Sequence, residues 1–212
     1  RRRRKQYIAN CIRYCNAVLE DPDSPTAREC LDEKNADYDL WLSSTMKEVG
    51  GVMRQALKAI PLDSLTRDQR KRLMRSKLVM RVKRDQHGNI EKRKVRLVAM
   101  GNTSKKGVTH DWTHAPGASP VSMRVLVALA CKLRKVISSY DLEQCYLQAP
   151  INQPSAKDIF LYPPRELIFR DKRGRPLVFK CTSNLYGLAS GGADSFAHVD
   201  KHMITEQGLI AS

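Results

Sequence analysis

The stretch KLVMRVKRDQHGNIEKRKVRLVAM at residues 77–100 decides how this 212-residue chain folds. Two runs of alternating apolar and polar residues flank a short segment that contains Gly88 and Asn89. Alternation with a period of two is typical of strands, and glycine and asparagine between two such runs are typical of a short turn. The pattern predicts a β-hairpin with Val95 and Leu97 on one face.

The side chains on the outer face of this hairpin are largely Lys and Arg. Residues 67–96 carry 13 Lys or Arg against 3 Asp or Glu, and the whole chain has a net charge of +16. Such a surface attracts nucleic acid ahead of an acidic membrane or protein, and a basic ribbon suits contact with phosphates. The residues alone are equally compatible with an ordinary solvated hairpin.

The segments around the hairpin show helical and extended patterns without a βαβ rhythm, which favours the α+β class. Thr26 with Glu29 three residues later forms a capping-box pattern, so a helix is expected to begin there. Further helices are expected at about residues 6–20, 38–58 (unless Gly50-Gly51 breaks it), 64–75, 193–207 and from Ser122 onward. Strands are expected to end at Asp141 and to pair between FLYPP and LVFKC.

Composition and apolar run length indicate the cellular compartment in which the protein is expected. With 42% hydrophobic residues the chain can bury a sizeable core, and its six cysteines contain no CxxC pair. The longest apolar run, VLVALAC at residues 125–131, is too short to span a bilayer, and no secretory signal is present. We therefore expect an intracellular protein, cytoplasmic and/or nuclear, that is not secreted and contacts no membrane.

One carboxylate stands out by its position. Asp141 follows the apolar residues Val136 and Ile137 and precedes Tyr146 by five places. An acid at the end of a buried strand is costly unless a metal, a cation or a hydrogen-bonding loop compensates it. Two-metal phosphoryl transfer uses such carboxylates, whereas buried acids are more often paired for structural reasons. Both interpretations remain open at this point.

Other motifs are weaker. His198 and His202, like His110 and His114, have the i, i+4 spacing by which a helix presents two metal ligands. The stretch HVDKH lacks the glutamate of HExxH, so no zinc is expected. Neither a Gly-rich phosphate loop nor a Gly-x-Ser-x-Gly elbow is present.

Three consecutive stretches point to a family. They are RKVRLVAMGNTSKKGVTHDWTHAP at 93–116, MRVLVALA at 123–130 and YDLEQCYLQAPI at 140–151. In this order they resemble the reverse transcriptase of copia-type retrotransposons, which typically has K-A-R-L-V-A-x-G, I-R-x-L-L-A-L-A and L-D-V-x-x-A-F-L-x-G. Weaker similarity reaches back to Trp41 and Glu48 and forward to NLYGL at 184–188.

The resemblance implies a role for each matching residue near the acid. Asp141 would be the first catalytic, metal-binding aspartate, and Leu142 would offer its backbone carbonyl to a second ion. The ions would be Mg²⁺ or Mn²⁺. Tyr146 takes the aromatic position that packs under the incoming sugar and excludes a 2′-hydroxyl.

The resemblance also implies how substrate is held. Lys94 and Arg96 would bind the triphosphate of the dNTP, for which the forked donors of arginine are well suited. Leu185, Tyr186 and Gly187 would line the template and nucleotide pocket. The expected partners are an RNA template, a DNA primer, dNTPs and the remainder of a polyprotein.

The sequence departs from the family at several positions. Ser104 stands where the family has Gln, Asn102 where it has Phe and Leu78 where it has Trp. The family's Lys-Gln-Ala-Pro-Arg run is Ala-Ser-Gly-Gly-Ala at residues 189–193. These changes bear on template grip and nucleotide positioning.

The resemblance divides the chain into a basic helical extension at residues 1–37 and a reverse-transcriptase-like domain, fingers and partial palm, at residues 38–212. The family's Tyr-x-Asp-Asp motif is absent, and Asp194 and Asp200 have no second acid beside them. We therefore expect a truncated domain that is inactive alone. The alternatives are a non-catalytic nucleic-acid-binding remnant of a retroelement and an unrelated basic interaction module.

Overall fold

The fold is described by a computed structural model for residues 21–154, 158–206 and 208. Its strands are β1 (Leu57–Pro61), β2 (Leu73–Arg84), β3 (Ile90–Ala99), β4 (Phe160–Tyr162) and β5 (Leu177–Cys181). Its helices are α1 (Ala27–Cys30), α2 (Tyr38–Gln55), α3 (Arg67–Lys71), α4 (Pro120–Lys132), α5 (Cys145–Gln148) and α6 (Gly191–Thr205). The helix expected at residues 6–20 lies outside the described residues.

The five strands form one mixed sheet in the order β1-β5-β4-β2-β3. Neighbours are antiparallel except β2 and β4, which run parallel. Helix α2 packs on β1 and β3 and buries Trp41, Thr45, Val49 and Val52, which are spaced for one helical face. This combination agrees with the α+β class predicted from the sequence.

The predicted hairpin corresponds to β2 and β3. They pair antiparallel from Ser76 opposite Ala99 to Arg84 opposite Ile90. Asp85 closes the turn, because its Oδ1 accepts hydrogen bonds from the backbone N–H groups of His87 at 2.8 Å and residue 89 at 2.9 Å. The expected pairing of FLYPP with LVFKC is present as β4 and β5.

Two predicted helices are shorter than expected because strands replace their ends. Helix α2 passes through Gly50-Gly51 without a break and ends at Gln55, and the residues that follow pair with β5 as β1. Helix α3 starts at a capping box between Thr66 and Gln69, and Leu73 already begins β2. The capping box of Thr26 with Glu29 is present at α1.

The predicted strand ending at Asp141 is wrong. Residues 135–142 have no strand structure, and Val136 and Tyr140 are 92% and 90% exposed. Within the described residues no strand lies alongside to supply ladder hydrogen bonds. The preceding helix α4 begins at Pro120 with Ser119 as its cap, three residues before the expected cap at Ser122, and buries none of its residues.

Candidate functional site

A cleft of about 500 Å³ opens between α2, β3 and the segment that leads into α5. Its lining residues are Ser44, Lys47, Glu48, Gly51, Arg54, Gln55, Lys92, Arg93, Lys94, Val95, Arg96, Asp141, Leu142, Glu143, Gln144, Leu147 and Tyr186. The cleft thus joins Lys94, Arg96, Asp141, Leu142 and Tyr186, which sequence reasoning had selected from distant positions.

Asp141 is exposed to solvent on the wall of this cleft, not desolvated at a strand end as expected. Its charge therefore carries no burial penalty. In the part of the chain that the structure describes, no group of three or more His, Cys, Asp or Glu side chains is placed to hold a metal ion. The described residues do not assemble a complete site for two divalent ions.

The outer edge of β3 is bonded to two other walls of the cleft. The backbone N–H of Leu97 donates to Oε1 of Glu48 at 3.1 Å, and the N–H of Ala99 donates to the carbonyl oxygen of Tyr186 at 2.8 Å. Burial raises the pKa of Glu48, against the Leu97 hydrogen bond and the charges of nearby cations. The sequence pointed to Glu48 only through the family pattern, and the bond to a residue 49 places away has no local signal.

Tyr186 lines the cleft and also contacts Tyr146, the other aromatic residue that the sequence motifs selected. The guanidinium of Arg96 lies over the Tyr186 ring, 5.6 Å from its centroid, at cation–π distance. The ring of Tyr146 also packs against the Tyr186 ring, with 5.4 Å between centroids and a tilt of 45°. A Cβ atom on Gly191 would come within 3.0 Å of Tyr146 Cδ1, so the glycine makes room for this ring.

The backbone of the turn at residues 184–188 lies in close contact with the end of β3. Leu185 is fully buried in the core and does not line the cleft. Gly187 has φ +85°, and a Cβ there would overlap the carbonyl oxygen of Ala99. A Cβ on Gly101 would in turn overlap the carbonyl oxygen of Gly187. Glycine is required here for approach to the protein's own strand.

Comparison with known proteins identifies the family. The model of the family "Reverse transcriptase (RNA-dependent DNA polymerase)" matches residues 62–207. The chain belongs to the reverse transcriptase family. The Retrovirus-related Pol polyprotein from transposon TNT 1-94 of Nicotiana tabacum is 26% identical over 139 residues, which cover 66% of this chain and 10% of that polyprotein. No solved structure matches the chain.

Both matches support the copia-type reverse transcriptase assignment that the sequence motifs indicated. It spans about a tenth of the length of the curated relative it matches. Members of this family generally use divalent metal ions. Within the residues that the structure describes, no helix is long and apolar enough to cross a membrane.

The hairpin of this reverse transcriptase domain places like charges directly opposite one another. The register sets Arg81 against Lys94 and Lys83 against Lys92, an arrangement that destabilises a bare sheet. Neighbouring cations, after burial as the main cause, lower the pKa of Lys94. The repulsion favours an anionic ligand on this face.

Three acids from the segment before α2 hold arginines of the hairpin. Arg81 pairs with Asp21 at 2.8 Å, Arg84 with Asp23 at 2.8 Å, and Arg93 with Asp37 at 2.6 Å. The N–H of Val82 also donates to the carbonyl of Asp23 at 2.8 Å. We call residues 21–23 the acidic strap. Sequence reasoning missed it, because a DPD loop carries no signal for its distant partner.

Asp194, the buried acid of α6, has a structural role in this domain. It accepts hydrogen bonds from Nε2 of Gln153 at 2.7 Å and Nδ2 of Asn184 at 3.1 Å. Oε1 of Gln153 in turn accepts from the backbone of Asp111 at 2.8 Å. The histidine pair of α6, at positions 198 and 202, is exposed to solvent.

A larger groove of about 600 Å³ lies between the start of β2 and residues 162–170. Apolar side chains such as Ile168 and Phe169 line it together with Arg75 and Arg165. It contains none of the residues to which the resemblance assigns a role in catalysis or substrate binding, although Met100 of the family stretch at 93–116 lines it. The smaller cleft is therefore the candidate site of the reverse transcriptase domain.

Proposed function

We propose that the chain forms the fingers and part of the palm of a copia-type RNA-dependent DNA polymerase. Its cleft would bind the triphosphate of an incoming dNTP during template-directed extension of a DNA primer. The observation that carries this proposal is the meeting of Lys94 and Arg96 with Asp141 in one cleft. Residues 1–37 would be an N-terminal extension to this domain.

The basic side chains supply the anion-binding part of the site. Neither Lys94 nor Arg96 forms a salt bridge with a carboxylate among the described residues, although both lie near Glu48. Arg96 can present two parallel donors to phosphate oxygens, and Lys94 adds a compact positive charge. Because repulsion from Lys83 and Lys92 already disfavours the empty hairpin, a bound triphosphate relieves a cost.

Asp141 and the carbonyl of Leu142 would contribute to holding Mg²⁺ or Mn²⁺. The exposure of Asp141 leaves its carboxylate accessible to a hydrated cation. The further ligands that two ions require would come from another part of a polyprotein, in keeping with the length of the tobacco relative. We accordingly expect little or no polymerisation by this chain alone.

Tyr146 would select the sugar of the nucleotide. Its ring is restrained by contact with Tyr186 and by the close approach of Gly191. A ring fixed in this way gives a steric limit beneath a ribose, so a 2′-hydroxyl would clash. The replacement of the family's Ala-Pro by Gly191-Gly192 leaves space for that ring.

A second candidate function is nucleic-acid binding without catalysis. The like-charged hairpin face favours it, because that face needs only phosphates as partners. In this case the chain would hold RNA or DNA through β2 and β3. Its affinity would fall steeply with salt, since each phosphate contact releases counterions.

One experiment separates the two functions. The purified 212-residue chain is titrated with a dNTP in the presence and absence of Mg²⁺, and with single-stranded RNA across a salt series. Mg²⁺-dependent dNTP binding that Asp141→Asn weakens, and that Asp200→Asn at an exposed site on α6 leaves intact, supports the polymerase. Salt-sensitive RNA binding without Mg²⁺-dependent dNTP binding supports the second function. Mg²⁺-dependent dNTP binding unchanged by Asp141→Asn would rule out the proposed role of Asp141.

A further inference from the structure

The carboxylate of Glu48 occupies an unusual place in the basic cleft. The other charged residues that α2 contributes to the lining are Lys47 and Arg54, and β3 adds further cations. Glu48 is half-buried, and its Oε1 accepts the N–H of Leu97 at 3.1 Å. A half-buried carboxylate between α2 and a basic strand loses part of its hydration, which costs free energy. Its attraction to the basic surface alone does not explain why it lies there.

The bonded N–H lies on the free edge of the sheet. Among the described residues strand β3 is the last in the order, so alternate N–H groups point away from β2 and have no strand partner there. Glu48 bonds the one at Leu97, and the Tyr186 carbonyl bonds the next one, at Ala99. These two contacts lie on the same outer edge of β3 and fix it to α2 at Leu97 and to the turn at Ala99.

The bond acts directly on the backbone of Arg96. The N–H of Leu97 belongs to the peptide unit whose carbonyl is that of Arg96, so Glu48 sets the orientation of that unit. The guanidinium of Arg96 is then held from its other end by the ring of Tyr186. Lys94 projects from the same strand, two residues earlier, toward the same cleft.

We infer that Glu48 is a positioning residue, which orients Arg96 and Lys94 for an anionic ligand through its hydrogen bond to β3. The inference rests on the proposed function of the cleft in binding a triphosphate. It assigns the effect to the acceptor atom of Glu48, not to its charge. Preorganised donors bind an anion more tightly because less ordering is needed on binding.

Two substitutions separate the acceptor from the charge. Glu48→Gln keeps an oxygen that can accept the Leu97 N–H and removes the charge, whereas Glu48→Ala removes both. Glu91→Ala is the control, since Glu91 is an exposed acid on β3, the strand of Leu97, and does not line the cleft. Exchange of the Leu97 amide hydrogen is followed by NMR, and inorganic tripolyphosphate is titrated into the full chain by calorimetry.

We expect Glu48→Ala to speed Leu97 exchange and to weaken tripolyphosphate binding by about 5- to 10-fold, as loss of one preorganising bond implies. Glu48→Gln should restore both properties to near the wild-type level, and Glu91→Ala should change neither. Equal weakening by Gln and Ala would assign the effect to charge and overturn the inference. Unchanged exchange in Glu48→Ala would also overturn it.

A purely structural role is distinguishable as well. If Glu48 only stabilised the fold, Glu48→Ala would have a lower melting temperature, but its folded fraction would bind tripolyphosphate normally. This result too would overturn the inference. If the wild-type chain bound no tripolyphosphate, the proposed function of the cleft would fail. The exchange measurements would then still decide whether Glu48 orders the edge of β3.

Discussion

Arg96 and Tyr186 hold one another in place from two directions. The guanidinium of Arg96 lies 5.6 Å from the centroid of the Tyr186 ring, while the backbone carbonyl of Tyr186 accepts the N–H of Ala99 on the same strand. A movement of the turn therefore displaces both the ring and the strand that carries the arginine. Under the proposed function, this mutual contact would make the turn part of the anion-binding site.

Substitution of Tyr186 should test the ring contact. Tyr186→Phe keeps an aromatic face for Arg96, whereas Tyr186→Leu removes it and should weaken tripolyphosphate binding about 2- to 5-fold, the equivalent of one exposed cation–π contact. The backbone bond to Ala99 remains in both variants, so the melting temperature serves as the control. Equal affinities for the Phe and Leu variants would contradict the role of the ring.

Gly187→Ala should destabilise the domain more than Gly88→Ala does. Both glycines have φ +85°, so both substitutions place alanine in the left-handed region. Only at Gly187 would the new Cβ overlap backbone, whereas at Gly88 no atom lies within 4 Å. The conformational cost alone is about 1–2 kcal/mol, and Gly187→Ala should exceed it in urea unfolding. Equal losses for the two variants would refute the close packing of the turn.

Removal of the acidic strap should strengthen nucleic-acid binding. Asp21 and Asp23 pair with Arg81 and Arg84 and would compete with phosphates for them, so the double variant Asp21→Asn/Asp23→Asn would free two cations. We expect tighter binding of single-stranded RNA at low salt, and a steeper loss of affinity with salt by up to about two counterions. Fluorescence anisotropy across a salt series measures both quantities.

The control for the strap is Asp68→Asn, which removes an acid paired with Lys71 on α3, away from the hairpin. It changes the net charge in the same direction, so a general electrostatic effect would appear in it too. Hydrogen bonding to Ser24 is the main reason why the pKa of Asp21 is low. If the double variant gained no more RNA affinity per charge removed than Asp68→Asn does, the acidic strap would not compete with RNA.

Glu48 should make the stability of the folded domain depend on pH in one direction. Burial raises the pKa of Glu48, so the folded state holds its proton at a higher pH than the unfolded state does. Its contribution to stability is present below the unfolded pKa and is lost as pH rises through the folded pKa. Glu48→Gln should therefore resist urea better than wild type at pH 7, with the advantage disappearing in the acidic range. An advantage independent of pH would contradict the raised pKa.

Local signals in the sequence predicted the local structure well. The alternation around Gly88 marked the strands of the hairpin, and the capping box at Thr26 marked a helix start. These features depend on residues only a few positions apart. The apolar run before Asp141 failed as a strand signal, because a strand also requires a neighbour and the described residues supply none.

Contacts between distant residues could not be predicted in this way. β1 was missed because its partner β5 lies about 120 residues further along the chain. The family motifs named Lys94, Arg96 and Asp141, but only the fold shows that they share a cleft. The bond between Glu48 and Leu97, and the ion pairs of the acidic strap, depend on tertiary packing that no spacing encodes.

The glycine contacts at the end of β3 have a genetic consequence. A side chain at Gly101 or Gly187 would meet a backbone carbonyl in each case, so trimming a neighbouring side chain cannot make room for it. In a selection for second-site suppressors of either substitution, single-residue replacements should rarely restore folding. Insertions or deletions next to Gly101, which move the chain itself, are the changes that such a selection should recover.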